Sequence, residues 1–298
     1  MIHFISKFDP IWHTERYIAD ALEWHGQNVQ CYDVSDETDR PGCIKPHDMV
    51  LTSVPQMIGV DYCRMVKNTG AKLVCWYFDW IQGYLGRDEK YLPRLSLMDA
   101  IYSTDGFSDD WYKSQGITTR TWLPQAAPQD ESLIDVTPGA PEHDVLFIGR
   151  VYNHNREQLI NELRRNYSVG VYGKQTNGRF IWGKERQSLI RNAKVVLGTS
   201  YRDDVPGYWS NRVYPTLSAG GLYLCPAGSG IERQFTPGKH IVTYTGDACK
   251  AIDKLLKKTA AKREKVRQNG YEFVRARHTY LHRVGSFVSD LRTKGMLP

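Results

Sequence analysis

Short apolar runs alternate with amphipathic stretches along the whole chain, and the two periods can be read in turn. Met1–Ile5, Val29–Val34, Met49–Thr52, Lys72–Phe78, Ala100–Ser103 and Arg120–Leu123 predict strands in the first part. Thr14–Trp24, Val60–Asn68 and Ser108–Gln115 predict helices between them, with Gly26 and Gly70 as stop signals. Lys72–Phe78 is nearly continuous in apolar character, as a central parallel strand buried on both faces should be. Between Pro124 and Pro141 four prolines and few large apolar residues mark a linker. The alternation then restarts. Asp144–Ile148, Ser168–Tyr172, Lys194–Thr199, Leu222–Cys225 and His240–Tyr244 predict strands, and Arg156–Arg165 and Glu185–Asn192 predict helices. A long helical tail, Ala248 to Arg292, is expected to break near Gly270 and His278.

Strands that alternate with helices give parallel sheets with right-handed crossovers. Two such runs on either side of a linker predict an α/β chain of two doubly wound, Rossmann-like domains facing across a cleft. The expected domains are 1–127 and 143–277, joined by 128–142. The length of 298 residues suits two domains, and 41% apolar with 24% charged residues excludes a disordered chain. Six cysteines without C-x-x-C spacing argue against a structural zinc site and a disulfide framework. The first residues lack the basic and long apolar regions of a signal peptide, and no run reaches the roughly 18 apolar residues of a membrane helix. The expectation is a soluble, cytoplasmic protein without membrane insertion. The net charge of +6 is uneven, with 12 basic and 17 acidic residues up to Ala127 against 27 and 16 beyond it. Two readings of the basic tail stay open: a solvated helical face, or a patch for a polyanion such as nucleic acid.

Parallel α/β sheets bind ligands at the C-terminal ends of their strands. Gly149 and Arg150 follow the strand ending at Ile148, and Arg156 lies six residues on from Arg150. Two guanidinium groups at such a place suit a diphosphate, because each makes paired charged hydrogen bonds to phosphate oxygens; taken alone, the same residues read more simply as a turn glycine and two surface arginines. The next strand ends at Tyr172-Gly173, and Ser200-Tyr201 follows the third. Neither G-x-G-x-x-G nor G-x-x-x-x-G-K-S/T occurs, so dinucleotide and P-loop binding have no support. The segment from Tyr208 to Gly221 reads as a polar helix start, a short helix and a double glycine, with Ser218–Gly221 small enough for close approach of a ligand.

These motifs resemble the C-terminal domain of the spore-maturation-type glycosyltransferases, relatives of the group 1 glycosyltransferases with the GT-B fold. Gly149 and Arg156 match that family's strand-ending glycine and helix-opening arginine. Asn211, Arg212, Tyr214, Leu217 and Gly220 match part of its N/S-x-R-x-F/Y-E-x-L-A-x-G helix. Phe235-Thr236-Pro237-Gly238 is similar to its phenylalanine-proline-glycine turn. Gly270, Val274, His278-Thr279-Tyr280 and Arg283 match its closing signature. Cys75-Trp76-Tyr77-Phe78-Asp79 and Leu123-Pro124-Gln125-Ala126-Ala127-Pro128 are similar to its aromatic strand and its linker. The match runs from about Leu73 onward; earlier residues agree only in pattern. Two departures stand out. Pro215 occupies the position of the family's ribose-gripping glutamate, and the family's lysine after the glycine-arginine turn has Arg156 as its nearest counterpart.

The resemblance implies transfer of a sugar from a nucleoside-diphosphate sugar, UDP-linked, to a hydroxyl acceptor, with retention and without an essential metal or other cofactor. It also implies that residues 278–298 form a closing helix on the first domain. The donor residues would be Gly149, Arg150, Arg156, Tyr172, Gly173, Ser200, Tyr201, Asn211, Arg212, Tyr214 and Gly220. Departure of a diphosphate needs its charge stabilised, which Arg150, Arg156 and Arg212 would supply. Asp79, after the central strand, is the first candidate for a base or orienting carboxylate, with His13 and Glu15 as alternatives; an Asp at such a place equally fills a helix cap. Trp76, Tyr77, Phe78, Trp80 and Tyr84 fit sugar or base stacking, or a core. His278 and His282 have a zinc-compatible spacing but no third ligand nearby, which favours a structural role. The acceptor stays open between polysaccharide, protein, small metabolite and a hydroxymethylated DNA base. A non-catalytic nucleotide or nucleic-acid binding protein of the same fold is the alternative.

Overall fold

The computed structural model describes residues 1–9, 13–35, 40–82, 87–106, 108–129, 139, 141–151, 154–173, 180–200 and 202–298. The chain forms two compact units, Met1–Gln125 with Tyr280–Pro298, and Ala126–Thr279.

The first unit contains β1 (Ile2–Ser6), α1 (Thr14–Trp24), β2 (Val29–Asp33), β3 (Met49–Thr52), α2 (Val60–Asn68), β4 (Lys72–Tyr77), α3 (Arg87–Leu95), β5 (Ala100–Ser103), α4 (Asp109–Ser114) and β6 (Arg120–Trp122). Its six strands are all parallel, in the order β2-β1-β3-β4-β5-β6. The predicted strands and helices are present within a residue or two at their ends. Helix α3 was not predicted, because its charged opening and the internal Pro93 hide the apolar period. One face of the sheet is covered through Cys63, Val66, Tyr91, Leu95 and Tyr112. The other is covered by α1 and by a helix from the far end of the chain, α10 (Tyr280–Thr293). Tyr280 stacks on Tyr17, and Phe287 packs on both Trp76 and Tyr102. Tyr102 donates to Asp290 at 2.6 Å and His25 bonds the Leu281 carbonyl at 2.8 Å, so α10 is an integral wall of this unit. Trp76, Tyr77 and Trp80 are therefore buried core, not a stacking surface. Tyr84 lies outside the described residues.

The second unit contains β7 (Val145–Ile148), α5 (His154–Leu163), β8 (Val169–Tyr172), α6 (Gly183–Asn192), β9 (Val195–Leu197), α7 (Val213–Ser218), β10 (Tyr223–Pro226), β11 (Val242–Tyr244), α8 (Ala248–Leu256) and α9 (Ala260–Arg277). The order β11-β10-β9-β7-β8 is again all parallel. Helices α5 and α8 cover one face through Ile160, Leu163, Ile252 and Leu255, and α6 covers the other through Leu189 and Ile190. Two parallel-sheet Rossmann-like units are thus present, as expected.

The expected break at Gly270 is absent. The expected break at His278 is present, and the other lies at Lys257–Thr259, where Thr259 Oγ1 accepts from Lys262 N. Gly270 lies inside α9 for a packing reason: a Cβ there would stand 2.6 Å from the His240 carbonyl oxygen and 2.9 Å from Leu217. Because the nearest obstacle is backbone, Gly270→Ala is expected to cost about 2–3 kcal/mol by overpacking, read as a lower urea midpoint with an unchanged slope. His278 ends α9 among the rings of Tyr214, Phe235 and Phe273, at 6.1, 5.4 and 5.0 Å. Among the described residues no cluster of three His, Cys, Asp or Glu side chains fits a metal ion.

Candidate functional site

In both sheets the strand order reverses beside the first strand, between β1 and β3 and between β7 and β9. Crossovers leave such a switch point on opposite faces and open a crevice at the C-terminal strand ends, where open α/β sheets bind ligands. Each crevice here is bridged by fixed charged side chains of one sign.

In the second unit the bridges are two arginines. Arg156, from α5, is 4% exposed. It donates through Nε to Thr199 Oγ1 at 2.9 Å, through Nη1 to the Arg150 carbonyl at 2.7 Å, and through Nη2 to the Ser200 carbonyl at 2.8 Å. Arg212, immediately before α7, donates to the carbonyls of Ile148 at 2.6 Å and Thr199 at 2.7 Å, and to Ser210 Oγ at 2.8 Å. Both guanidinium groups lie over the Phe147 ring, at 5.4 and 5.0 Å from its centroid. The ends of β7 and β9 are thereby stapled by two cations that donate to hydroxyl and carbonyl oxygens, bonds that fix the guanidinium groups without neutralising them. Asp203 offsets part of it. Burial pushes its carboxyl above the usual carboxylate range, opposed by the Ser200 N–H at 2.7 Å and by both arginines.

Beside the staple lies a cavity of about 400 Å³ lined by Asn155, Arg156, Leu159, Thr199, Ser200, Arg202, Asp203, Asp204 and Tyr244. Arg150 and Asn211 are exposed, and Arg202 is paired with Asp204 through two bonds of 2.7 and 2.6 Å. Asn155, Thr199, Asp203 and Tyr244 escaped the sequence reading.

The glycines serve the protein's own packing. A Cβ on Gly149 would strike the Arg212 guanidinium, and one on Gly173 would stand 2.6 Å from the Gly149 carbonyl oxygen. Gly220, at φ 67°, ends α7 in the left-handed region, and a Cβ on Gly221 would meet Ile190 at 2.6 Å. The close approach read at Ser218–Gly221 is thus to the chain itself. Tyr172 bonds His143 at 3.0 Å, and Tyr214 is buried and donates to Gln234 at 2.6 Å. Ser200 lines the cavity and accepts from Ser210 N at 2.9 Å. Tyr201 lies outside the described residues.

In the first unit the bridge is Glu15, at the start of α1 and 6% exposed. Its Oε1 accepts from Ser53 Oγ, just beyond β3, at 2.6 Å and from Ser6 Oγ, the last residue of β1, at 3.2 Å. Its Oε2 faces His13 Nδ1 at 3.8 Å. The fold thus brings His13 and Glu15 together over two buried serines that sequence reasoning missed. Asp79 follows β4, half-buried, and its Oδ1 accepts from Trp80 N at 3.3 Å, a local turn bond. Asp33, at the end of β2, accepts from the N–H groups of Phe8, Asp9 and Ser35 at 2.8, 3.0 and 2.8 Å and so pins the segment that leads to His13. Burial works against its charge, but those bonds outweigh it and hold the carboxyl at about 2. A lowered acid stabilises above its unfolded value of about 3.9, and that stabilisation is lost as pH falls towards 2. Urea unfolding of wild type and Asp33→Asn is expected to differ most above pH 5 and to converge near pH 2.

The sequence matches no curated protein at significance. Residues 148–289 match a family model described as glycosyl transferase-like. Among solved structures, Anabaena Alr3699/HepE in complex with UDP and glucose is similar with a TM-score of 0.69 at 10% identity, over 98% of this chain and 99% of that one. Sucrose-phosphate synthase from Thermosynechococcus elongatus follows at 0.66 and 13%, over 98% of both chains. The phage T4 β-glucosyltransferase matches at 0.60 and 12%, over 97% and 98%. The fold of this chain is therefore that of the GT-B proteins, and the stretch that resembles the glycosyl transferase-like family runs from the end of β7 into α10.

Proposed function

We propose that the protein transfers a glycosyl group from a nucleoside-diphosphate sugar, UDP-linked, to a hydroxyl acceptor. The observation that carries this reading is the sign of the two bridged crevices. A cationic one in the second unit suits a departing diphosphate, and a carboxylate-histidine one in the first suits an attacking hydroxyl. The glycosyl transferase-like domain and the UDP bound by HepE support it. In the reaction the anomeric carbon's bond to the diphosphate oxygen breaks, its bond to the acceptor oxygen forms, and the acceptor's proton is taken up. Arg150, Arg156 and Arg212 face the charge gained by the diphosphate, with Gly149, Gly173, Ser200 and Asn211 shaping the same edge; Tyr172, Tyr214 and Gly220 support it from within. His13, held by Glu15, takes or orients the acceptor proton, with Asp79 as the other candidate.

Retention of configuration, independence of metal and a cytoplasmic location rest on the resemblance and the composition. The product's anomer by NMR and a rate unchanged by chelator test the first two. The acceptor classes are a polysaccharide, a protein, a small metabolite and a hydroxymethylated DNA base. The net acidic first unit speaks against duplex DNA, and retention on duplex that does not vary with salt would remove it.

Pro215 favours a second reading, a nucleotide-binding protein without transferase activity, because it offers no side-chain acceptor where the resemblance expects one. A thermal-shift screen with UDP, GDP, ADP, CDP and their sugars is expected to show stabilisation by the uridine pair. No shift with any nucleotide would overturn donor binding in both readings.

A further inference from the structure

The opposite end of the second sheet holds a separate cluster. A cavity of about 150 Å³ lies between the end of α6, the residues before β9 and the first turns of α9. Four cations line it, Arg191, Lys194, Arg263 and Arg267, with Glu264 as the one carboxylate among its described lining residues.

Part of this cluster is structural. Arg267, whose side chain is 13% exposed, donates to the carbonyls of Arg191, Ala193 and Lys194 at 3.1, 2.5 and 3.0 Å and so caps the end of α6. Arg263 donates to the Leu256 carbonyl at 3.0 Å and caps the end of α8. Capping accounts for one arginine at each helix end. It does not account for four cations around one void. Arg191 takes both oxygens of Glu264, at 3.1 and 2.7 Å, and that carboxylate is shared between two arginines, since Arg267 stands 4.0 Å from it. Lys194 is paired outside the cavity, with Asp144 at 2.6 Å. Arg267 Nε is buried without a partner. The crowding has a consequence: burial, and then repulsion from Arg191, pull the Arg267 guanidinium down to about 10, with Glu264 offsetting only part and Arg263 adding to it. An anion in the void would relieve that repulsion.

We propose that this cavity binds a single phosphate group, free or as the monoester of a small metabolite. Its volume equals a few water-sized shares of about 30 Å³, enough for one phosphate and too small for a nucleoside. Guanidinium forks match phosphate oxygens in pairs. Around the rim, residues 250–267 carry eight Lys or Arg against two Asp or Glu, a field that draws anions towards the mouth. The proposal is independent of the transferase reading.

The test is calorimetric titration of the full chain with inorganic phosphate, and in a second arm glucose 1-phosphate, at ionic strength held constant with sodium chloride. Saturable binding is expected, weakened about tenfold by Lys194→Gln or Arg263→Gln. Glu264→Gln is expected to tighten it about fivefold by freeing Arg191 for the anion, a gain that a merely structural cluster would not show. Preference for the free ion or the monoester identifies the source. Absence of saturable binding would overturn the proposal. So would binding untouched by all three substitutions.

Discussion

His13→Ala is expected to lower kcat for transfer by about 10²- to 10³-fold, within the range that general acid-base groups contribute. The donor's KM is expected to stay within about twofold, because the residue acts on the acceptor and not on the nucleotide. The argument is geometric. Glu15 is pinned by Ser53 and Ser6 across the crevice between β1 and β3, and its second oxygen faces His13 Nδ1 at 3.8 Å. That contact orients the ring and leaves Nε2 as the nitrogen turned from the carboxylate. The His13 side chain is 30% exposed, so its removal is expected to move the melting temperature by no more than about 2 °C. Glu15→Gln keeps an oxygen for the serines but loses the charge, and is expected to give a smaller loss of about tenfold with an altered pH profile. A full loss in Asp79→Asn, with His13→Ala close to wild type, would move the role to Asp79.

Arg156→Met is expected to lower stability by about 3 kcal/mol, seen as a fall in Tm of roughly 6–12 °C. Methionine fills similar space but donates nothing, and the substitution leaves Thr199 Oγ1 and the carbonyls of Arg150 and Ser200 without the donor that now reaches them. Hydrogen bonds from a charged donor to such acceptors are the stronger kind, and a buried acceptor left unmade costs its desolvation. Arg212 still holds Thr199 O, so the strand ends loosen without coming apart. Arg150→Ala is the comparison. Its side chain is exposed, and the expected result is a stability within about 0.5 kcal/mol of wild type with a clearly weaker donor. Equal melting temperatures for Arg156→Met and wild type would show that the arginine is not a strut.

The architecture was legible because its signals are local. Apolar runs such as Leu73–Trp76, and helices closed by glycines such as Gly70, give strand and crossover positions without reference to anything distant in the chain. Where distant residues decide, the reading went astray. Gly270 reads as a helix breaker, yet it is set by the His240 carbonyl thirty residues earlier. Gly149 and Gly173 read as strand-ending glycines at the donor edge, but nothing local told that Gly149 makes room for Arg212 and Gly173 for the Gly149 carbonyl. Arg156 stood out as a cation near a strand end, but nothing local told that its donors would be taken by the Thr199 hydroxyl and the Ser200 carbonyl, some forty residues on. The site was half visible for the same reason. His13, Glu15 and the arginines are conspicuous residue types at conspicuous places. Ser6, Ser53 and Asn155 are common polar residues whose roles exist only once β1, β3 and α5 are assembled.

The most direct test of the account is whether the purified chain breaks a nucleoside-diphosphate sugar. UDP release from UDP-glucose and other UDP-sugars would be followed with and without acceptor mixtures and compared with Arg212→Ala. The account predicts UDP release that rises with the right acceptor and falls at least about tenfold in the variant, which lacks the guanidinium proposed to stabilise the leaving diphosphate. Tight UDP binding with no release under any condition would contradict it, and would leave a GT-B protein that holds the nucleotide without transferring the sugar.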